Sequence, residues 1–175
     1  MSILKVARLG HPIIRSKSES VNADEIPSAA CQQFIQDMIH TMHEYDGVGL
    51  AAPQVHIAKQ IAVIEVQQNP RYPEMPHVPL TVLINPKIIS HSKKIEEAWE
   101  GCLSIPDMRG IVPRYEEVVC EAYDLEGKKI KIEAKGFFAR IIQHELDHLI
   151  GHVYVDQMTD LKSLSYLEEF ARFAH

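Results

Sequence analysis

Phe137-Phe138-Ala139-Arg140-Ile141-Ile142-Gln143-His144-Glu145-Leu146-Asp147-His148-Leu149-Ile150 is apolar on nearly every side, yet it crowds two histidines, a glutamate and an aspartate together. The apolar spacing predicts a helix over 137–149, ending near Gly151, and a helix apolar nearly all round is a buried one. Burying His144, Glu145, Asp147 and His148 together is costly unless they are paired or bound to a metal. Histidines four apart share one helix face. Both imidazoles can then place a nitrogen at ~2.1 Å from one zinc-like ion. Glu145 follows the first histidine directly and points beside that ion, where a base must sit to take a proton from metal-bound water. A solvated charged face is the competing reading, and the apolar surroundings count against it.

A catalytic tetrahedral site needs a third protein ligand and an open position. His152 lies ~12 Å along the axis from His144, too far for one ion. The metzincin pattern places a histidine where this chain has Tyr154, so that family is excluded. The other histidines, the carboxylates and Cys102 remain as candidates. Cys102 sits in Glu100-Gly101-Cys102-Leu103-Ser104, a short loop-like segment with a glycine for close approach, and a buried core thiol is its alternative.

Upstream, Cys31, Phe34, Ile35, Met38, Ile39 and Met42 form a helical stripe over 28–45, closed by Asp46-Gly47, which makes Cys31 a packing residue. Gly47-Val48-Gly49-Leu50-Ala51-Ala52-Pro53-Gln54 reads as a loop where backbone approaches something closely. It lacks the Lys and Ser/Thr of a phosphate loop. Strands are expected at 61–66, 80–84, 97–101, 117–123 and 128–134, the last two joined by the turn Asp124-Leu125-Glu126-Gly127. Cys120 alternates with Ala122 on its strand and reads as structural. Pro70, Pro73, Pro76 and Pro79 recur every third residue, as in an extended, polyproline-like connector. A C-terminal helix is expected over 159–174, with Leu161, Leu164, Leu167 and Ala171 inward. Strands cluster in the middle without βαβ alternation. The fold class is therefore α+β: mainly antiparallel sheets around a central metal-binding helix, flanked by an N-terminal and a C-terminal helix.

The 175 residues fit one domain, 1–175. A net charge of -6 argues against nucleic acid as the main ligand. No apolar run reaches the ~20 residues of a membrane span, and the N-terminus lacks a signal-peptide core. Three cysteines form no disulfide framework, so reduced thiols in a cytoplasmic setting are expected.

Three segments now resemble one family. The Gly47–Gln54 stretch, Glu100-Gly101-Cys102-Leu103-Ser104 and Gln143-His144-Glu145-Leu146-Asp147-His148 are similar, in order and separation, to the three signature motifs of peptide deformylase. The resemblance runs from Leu9-Gly10-His11-Pro12 to Asp156. It implies removal of the formyl group from formyl-methionine at the start of nascent bacterial polypeptides. It implies Cys102, His144 and His148 as metal ligands and Glu145 as acid/base. Gln54 and the Leu103 backbone N–H would then bind the oxyanion, and Val48, Gly49 and Gly101 would line the peptide track. Phe137 and Ile141, on the metal-facing side of the helix, are expected to join Val48 in the methionine pocket. The implied cofactor is one divalent ion, natively Fe2+, replaceable by Zn2+, Ni2+ or Co2+. His11 and Gln157 depart from the residues common in the family, outside the motifs. The C-terminal helix resembles the form common in Gram-negative bacteria, where ribosome contact through a basic helix is proposed. Here Lys162 and Arg172 are offset by Asp160, Glu168 and Glu169, which leaves that partner open.

Two other functions compete. An endopeptidase built on the same helix motif would take a His or Glu as third ligand. A purely structural metal module would show four protein ligands.

Overall fold

Ser28 accepts a hydrogen bond from the Cys31 backbone N–H and caps the first helix, α1 (Ala29–Glu44). In the computed structural model, which describes residues 2–67 and 76–173, the expected stripe of α1 is its packed face. Ile35, Met38, Ile39 and Met42 are buried, and Cys31 and Phe34 pack partly against the same core. Asp46 turns the chain at a φ of 51° and the Gly47 N–H bonds back to Met42 O.

The strands are β1 (Gly49–Ala51), β2 (Ile61–Val66), β3 (Val78–His91), β4 (Ile95–Cys102), β5 (Ile105–Tyr115), β6 (Glu117–Tyr123), β7 (Lys129–Lys135) and β8 (Ser165–Tyr166). Five of them form one sheet in the order β1-β2-β3-β6-β7, and the other three form β4-β5-β8. Among the described residues every strand pairing is antiparallel, and one isolated bridge, Glu19 to Lys59, is parallel. The α+β, mainly antiparallel expectation is what the structure has.

β2 explains how the layers stack. Ile61 and Val63 join α1 in one core cluster, whereas Ala62, Ile64 and Val66 join Ile141, Ile142 and Leu149 of α2 (Gly136–Leu149) in another. A strand buried on both faces reads as a continuous apolar run, which is why Ile61-Ala62-Val63-Ile64 shows no polar alternation. The second sheet meets α2 from another side through Glu100, Arg114 and Arg140. The metal-motif helix therefore runs between the two sheets.

Glycine is required at both ends of α2. Gly136 opens it at a φ of 55°, and Gly151 follows it at 81°, where an added Cβ would lie 2.6 Å from Arg15 O. The helix is less uniformly covered than its composition implies: Phe137, Phe138 and Leu146 are half-buried and Ile150 is exposed.

The long C-terminal helix does not form. Residues 159–164 are irregular, Ser165 and Tyr166 pair with β5, and only α3 (Leu167–Phe173) is helical. Leu161, Leu167 and Ala171, expected inward, are exposed, Leu164 is half-buried, and Ala174 lies outside the described residues. An edge pairing supplied by a distant strand overrides the local spacing of leucines. The Gly-rich stretch is not wholly loop either, since Gly49–Ala51 pairs with β2 and Ala52–Val55 is a 3-10 helix. Of the proline series, Pro70 and Pro73 lie outside the described residues and Pro79 stands near the start of β3. Among the described residues no helix is long and apolar enough to cross a membrane.

Candidate metal centre

α2 presents His144 and His148 one turn apart, with ring centroids separated by 5.1 Å. β4 delivers Cys102 to the same point, just where its register with β5 shifts. Cys102 Sγ lies 3.2 Å from His148 Nε2, and one potential ligand atom from each of Cys102, His144 and His148 falls within 4.8 Å of the others.

The electrostatics fit a cation here. Burial alone would raise the Cys102 thiol, but the His148 and His144 imidazoles hold it well below its ordinary value, so a thiolate belongs at this point. Burial opposes charge on His144, yet Cys102 and Glu100 together lift it well above the ordinary histidine value. Positive charge is thus favoured among these three side chains. Two imidazole nitrogens and a thiolate suit iron, zinc, nickel or cobalt better than magnesium or calcium. His148 Nδ1 and Glu145 Oε2 are buried without a hydrogen-bond partner among the described residues.

Glu145 is buried beside the cluster, and its burial pushes the carboxyl up to about 7. Gly49 is what admits it. A Cβ on Gly49 would stand 2.2 Å from Glu145 Oε1, so only glycine leaves room for the carboxylate against β1.

Gln54 reaches the cluster from the 3-10 helix. Its Oε1 accepts from the Ala51 N–H at 2.8 Å, and its Nε2 donates toward Ser104 Oγ at 3.2 Å and Cys102 Sγ at 3.4 Å. The side chain therefore braces the loop with one end and turns its amide hydrogens toward the cluster with the other. Ser104 N–H also points at the sulfur, at 3.4 Å.

A pocket opens at this cluster. Val48, Gly49, Gln54, Gly101, Cys102, Leu103, Phe137, Ile141, His144 and Glu145 all line it. The structure therefore brings together every candidate residue of the sequence reading except His148. That side chain is buried and meets the group through its contact with Cys102.

A model of the polypeptide deformylase family matches residues 3–164. The chain belongs to that family. It is 42% identical over 163 residues to peptide deformylase 1 of Bordetella pertussis, covering 93% of this chain and 92% of the relative. With peptide deformylase 2 of Pseudomonas putida it shares 40% identity over 166 residues, covering 95% and 93%. Its fold superposes with a TM-score of 0.87 on the Met-Ala-Ser-bound crystal structure of class I type b peptide deformylase from Acinetobacter baumannii. That comparison has 40% identity and covers 90% of this chain and 99% of the other. A deformylase is a hydrolase that uses a metal ion, so this chain is an enzyme, and Cys102, His144 and His148 are a possible group for the ion.

Sequence reasoning missed the charged scaffold behind the deformylase motifs. Glu100, buried, accepts from His144 Nδ1 at 2.9 Å, from Arg114 Nε and Nη2 at 2.9 and 3.0 Å, and from Arg140 Nη1 at 2.9 Å. Arg114 also binds Asp147 Oδ2 at 2.6 Å, and Arg140 donates to the Val112 and Glu96 carbonyls. Burial works against the Glu100 carboxylate, but His144 and Arg114 hold it far below the usual carboxyl range, so it stays charged. By accepting the Nδ1–H hydrogen bond, Glu100 leaves the His144 Nε2 lone pair facing the cluster. The one available signal was that Glu100 and Cys102 share a face of a strand. Trp99, also in the pocket lining, carried no signal at all.

Proposed function

We propose that this chain removes the formyl group from formyl-methionyl peptides, holding one divalent metal through Cys102 Sγ and the Nε2 atoms of His144 and His148. The observation that carries the proposal is the buried Cys-His-His triangle with a carboxylate beside it, at the side of a pocket lined by Val48, Gly49, Phe137 and Ile141. Three protein ligands leave a place open, as a catalytic site needs and a structural one does not. Cysteine as the third ligand also separates this site from the endopeptidase reading. When bound, the ion supplies Lewis acidity that activates water and polarises the formyl oxygen.

The chain's own residues do the rest. Glu145, with its carboxyl lifted to about 7 by burial, takes a proton from the attacking water as the oxygen–carbon bond forms. It then passes that proton to the amine as the carbon–nitrogen bond breaks. Gln54 Nε2 and the Leu103 N–H donate to the oxygen on which charge collects. Val48, Gly49 and Gly101 line the track for the peptide backbone, and Phe137 and Ile141 join Val48 around the methionine side chain. The Met-Ala-Ser in the Acinetobacter relative supports a short N-terminal peptide as ligand. We take Fe2+ as the native ion, with Zn2+, Ni2+ or Co2+ able to replace it. Residues 1–175 act as one catalytic unit on nascent chains in the cytoplasm. Ribosome contact draws no support from α3, whose first turn carries Glu168 and Glu169.

The test is hydrolysis of formyl-Met-Ala-Ser, followed by release of the free amine, beside its acetyl analogue and a longer blocked peptide. Turnover of the formyl peptide alone is expected, and Glu145→Gln should keep its metal and lose activity by ~10²–10⁴-fold. Cleavage inside the blocked peptide, or near-normal turnover by the variant, would overturn the proposal.

A further inference from the structure

The C-terminal segment, which the mechanism does not use, is built onto the rim of the pocket. Gly101 of the peptide track pairs in register with Arg109 of β5, and Arg109 in turn pairs with Ser165 of β8. Immediately after β8, α3 places Phe170 against Trp99, two residues before that glycine, and against Arg109, its cross-strand partner. The Phe170 ring meets Trp99 edge-on, with centroids 4.7 Å apart. The Arg109 guanidinium lies over the same ring at 5.3 Å. Trp99 itself lines the pocket, and Leu167, one turn before Phe170, lines a second recess that also contains Cys102 and Leu103.

We infer that Phe170 is a positioning residue of the peptide site: braced by the buried Arg109 on its face, it holds Trp99 as the outer wall along which the residues after the first one lie. This rests on the deformylase reading of the pocket. Same-face residues of a strand are about 6.6 Å apart, two rises of ~3.3 Å. A strand-like peptide whose first side chain fills the recess by Phe137 and Ile141 runs past Gly101 and then beside Trp99. An indole there offers a flat apolar surface to a passing chain, and its orientation depends on what packs behind it. Phe170 is the ring behind it, and it is half-buried. The substrate wall thus includes a helix that carries none of the signature motifs. The wall acts on downstream residues, because His144, His148, Glu145 and the Phe137–Ile141 recess belong to α2, and Cys102, which shares β4 with Trp99, lies beyond the register shift after Gly101.

The chain has a single tryptophan, so its emission reports on this wall with no background from other indoles. The experiment compares the metal-loaded wild-type enzyme with Phe170→Ala, Phe170→Tyr and Glu169→Ala, a neighbouring exposed position. Kinetics are read on formyl-Met, formyl-Met-Ala-Ser and a longer formyl-Met peptide. For Phe170→Ala we expect KM to rise about threefold to tenfold on the two longer substrates, the range an aromatic pair contributes. Its kcat should stay within about twofold, formyl-Met should be unaffected, and Trp99 emission should shift to the red. Phe170→Tyr, which keeps the edge contact, should restore both KM and emission, and Glu169→Ala should behave as wild type. Equal losses on all three substrates, unchanged KM throughout, or a lower melting temperature with no change in KM would each overturn the inference. Absence of deformylase turnover in the wild-type enzyme is a separate outcome that removes the functional reading beneath it, and a shift of Trp99 emission on adding Met-Ala-Ser distinguishes the two failures.

Discussion

Gly49→Ala tests whether the carboxylate beside the candidate metal centre is placed for catalysis. The new Cβ would fall 2.2 Å from Glu145 Oε1 and 2.7 Å from its Cδ. A relaxed carbon–oxygen contact begins near ~3.3 Å, so the carboxylate must withdraw by about 1 Å. The obstacle is the far end of a flexible side chain. Gly49 is also not among the residues with positive φ, so its backbone accepts alanine without strain. Stability and metal content should therefore change little. Catalysis should not be spared, because a misplacement of ~1 Å at a reacting group can cost ~10²-fold. The assay is kcat/KM on formyl-Met-Ala-Ser with metal quantified on the same sample and a melting curve alongside. The expected result is a ~100-fold fall with full metal. Adding Glu145→Gln to Gly49→Ala should cost little beyond Glu145→Gln alone, since both act through one group. Near-normal turnover of fully loaded Gly49→Ala would show that the carboxylate position is not what limits the reaction.

Three further outcomes are expected. Glu100→Gln keeps shape but removes the charge that faces Arg114, Arg140 and His144, which should cost ~3–5 kcal/mol. At ~2–4 °C per kcal/mol for a domain of this size, the melting temperature should fall by about 6–20 °C, and metal affinity should fall ~10–100-fold through the loosened His144; a melting point within ~2 °C of wild type would refute this. Gln54→Ala should lower kcat and kcat/KM together by ~10²–10³-fold and, through the lost bond to the Ala51 N–H, stability by ~1 kcal/mol, whereas normal kcat with only a lower melting point would make Gln54 a scaffold. Activity of the iron form should decay in air faster than that of the nickel form, as expected for an oxidisable ion beside a thiolate, and equal aerobic half-lives would count against iron as the native metal.

Local patterns carried much of the fold because most elements bury one periodic face. The stripe of α1, the run of β2 and the span of β6 were all readable from spacing alone. β5 was not, because Ile105–Tyr115 contains Pro106, Gly110 and Pro113 and becomes a strand through its partner β4. The C-terminal helix failed for a related reason: Ser163 Oγ accepts from the Ile111 N–H and Ser165 pairs with Arg109, contacts that no local period announces. At the site, spacing alone picked out the two histidines and the glutamate. It left Cys102 as one candidate among several, and the motif resemblance supplied the rest. The Glu100–Arg114–Arg140–Asp147 scaffold was invisible because its members are joined across separations of 14, 33 and 40 residues.

The two covered faces of β2 also bear on how the chain is made. The helix that covers Ile61 and Val63 precedes the strand, so that face can close as soon as the strand emerges. The face of Ala62, Ile64 and Val66 waits for α2, which ends at Leu149. At ~5–20 residues per second, translation from Val66 to Leu149 takes about 4–17 s. Through that interval an apolar sheet surface stands open to neighbouring chains, a hazard of aggregation during synthesis. The helix that ends this exposure is the one that carries His144, Glu145 and His148. The interior is thus sealed and the metal-motif residues are delivered in the same event.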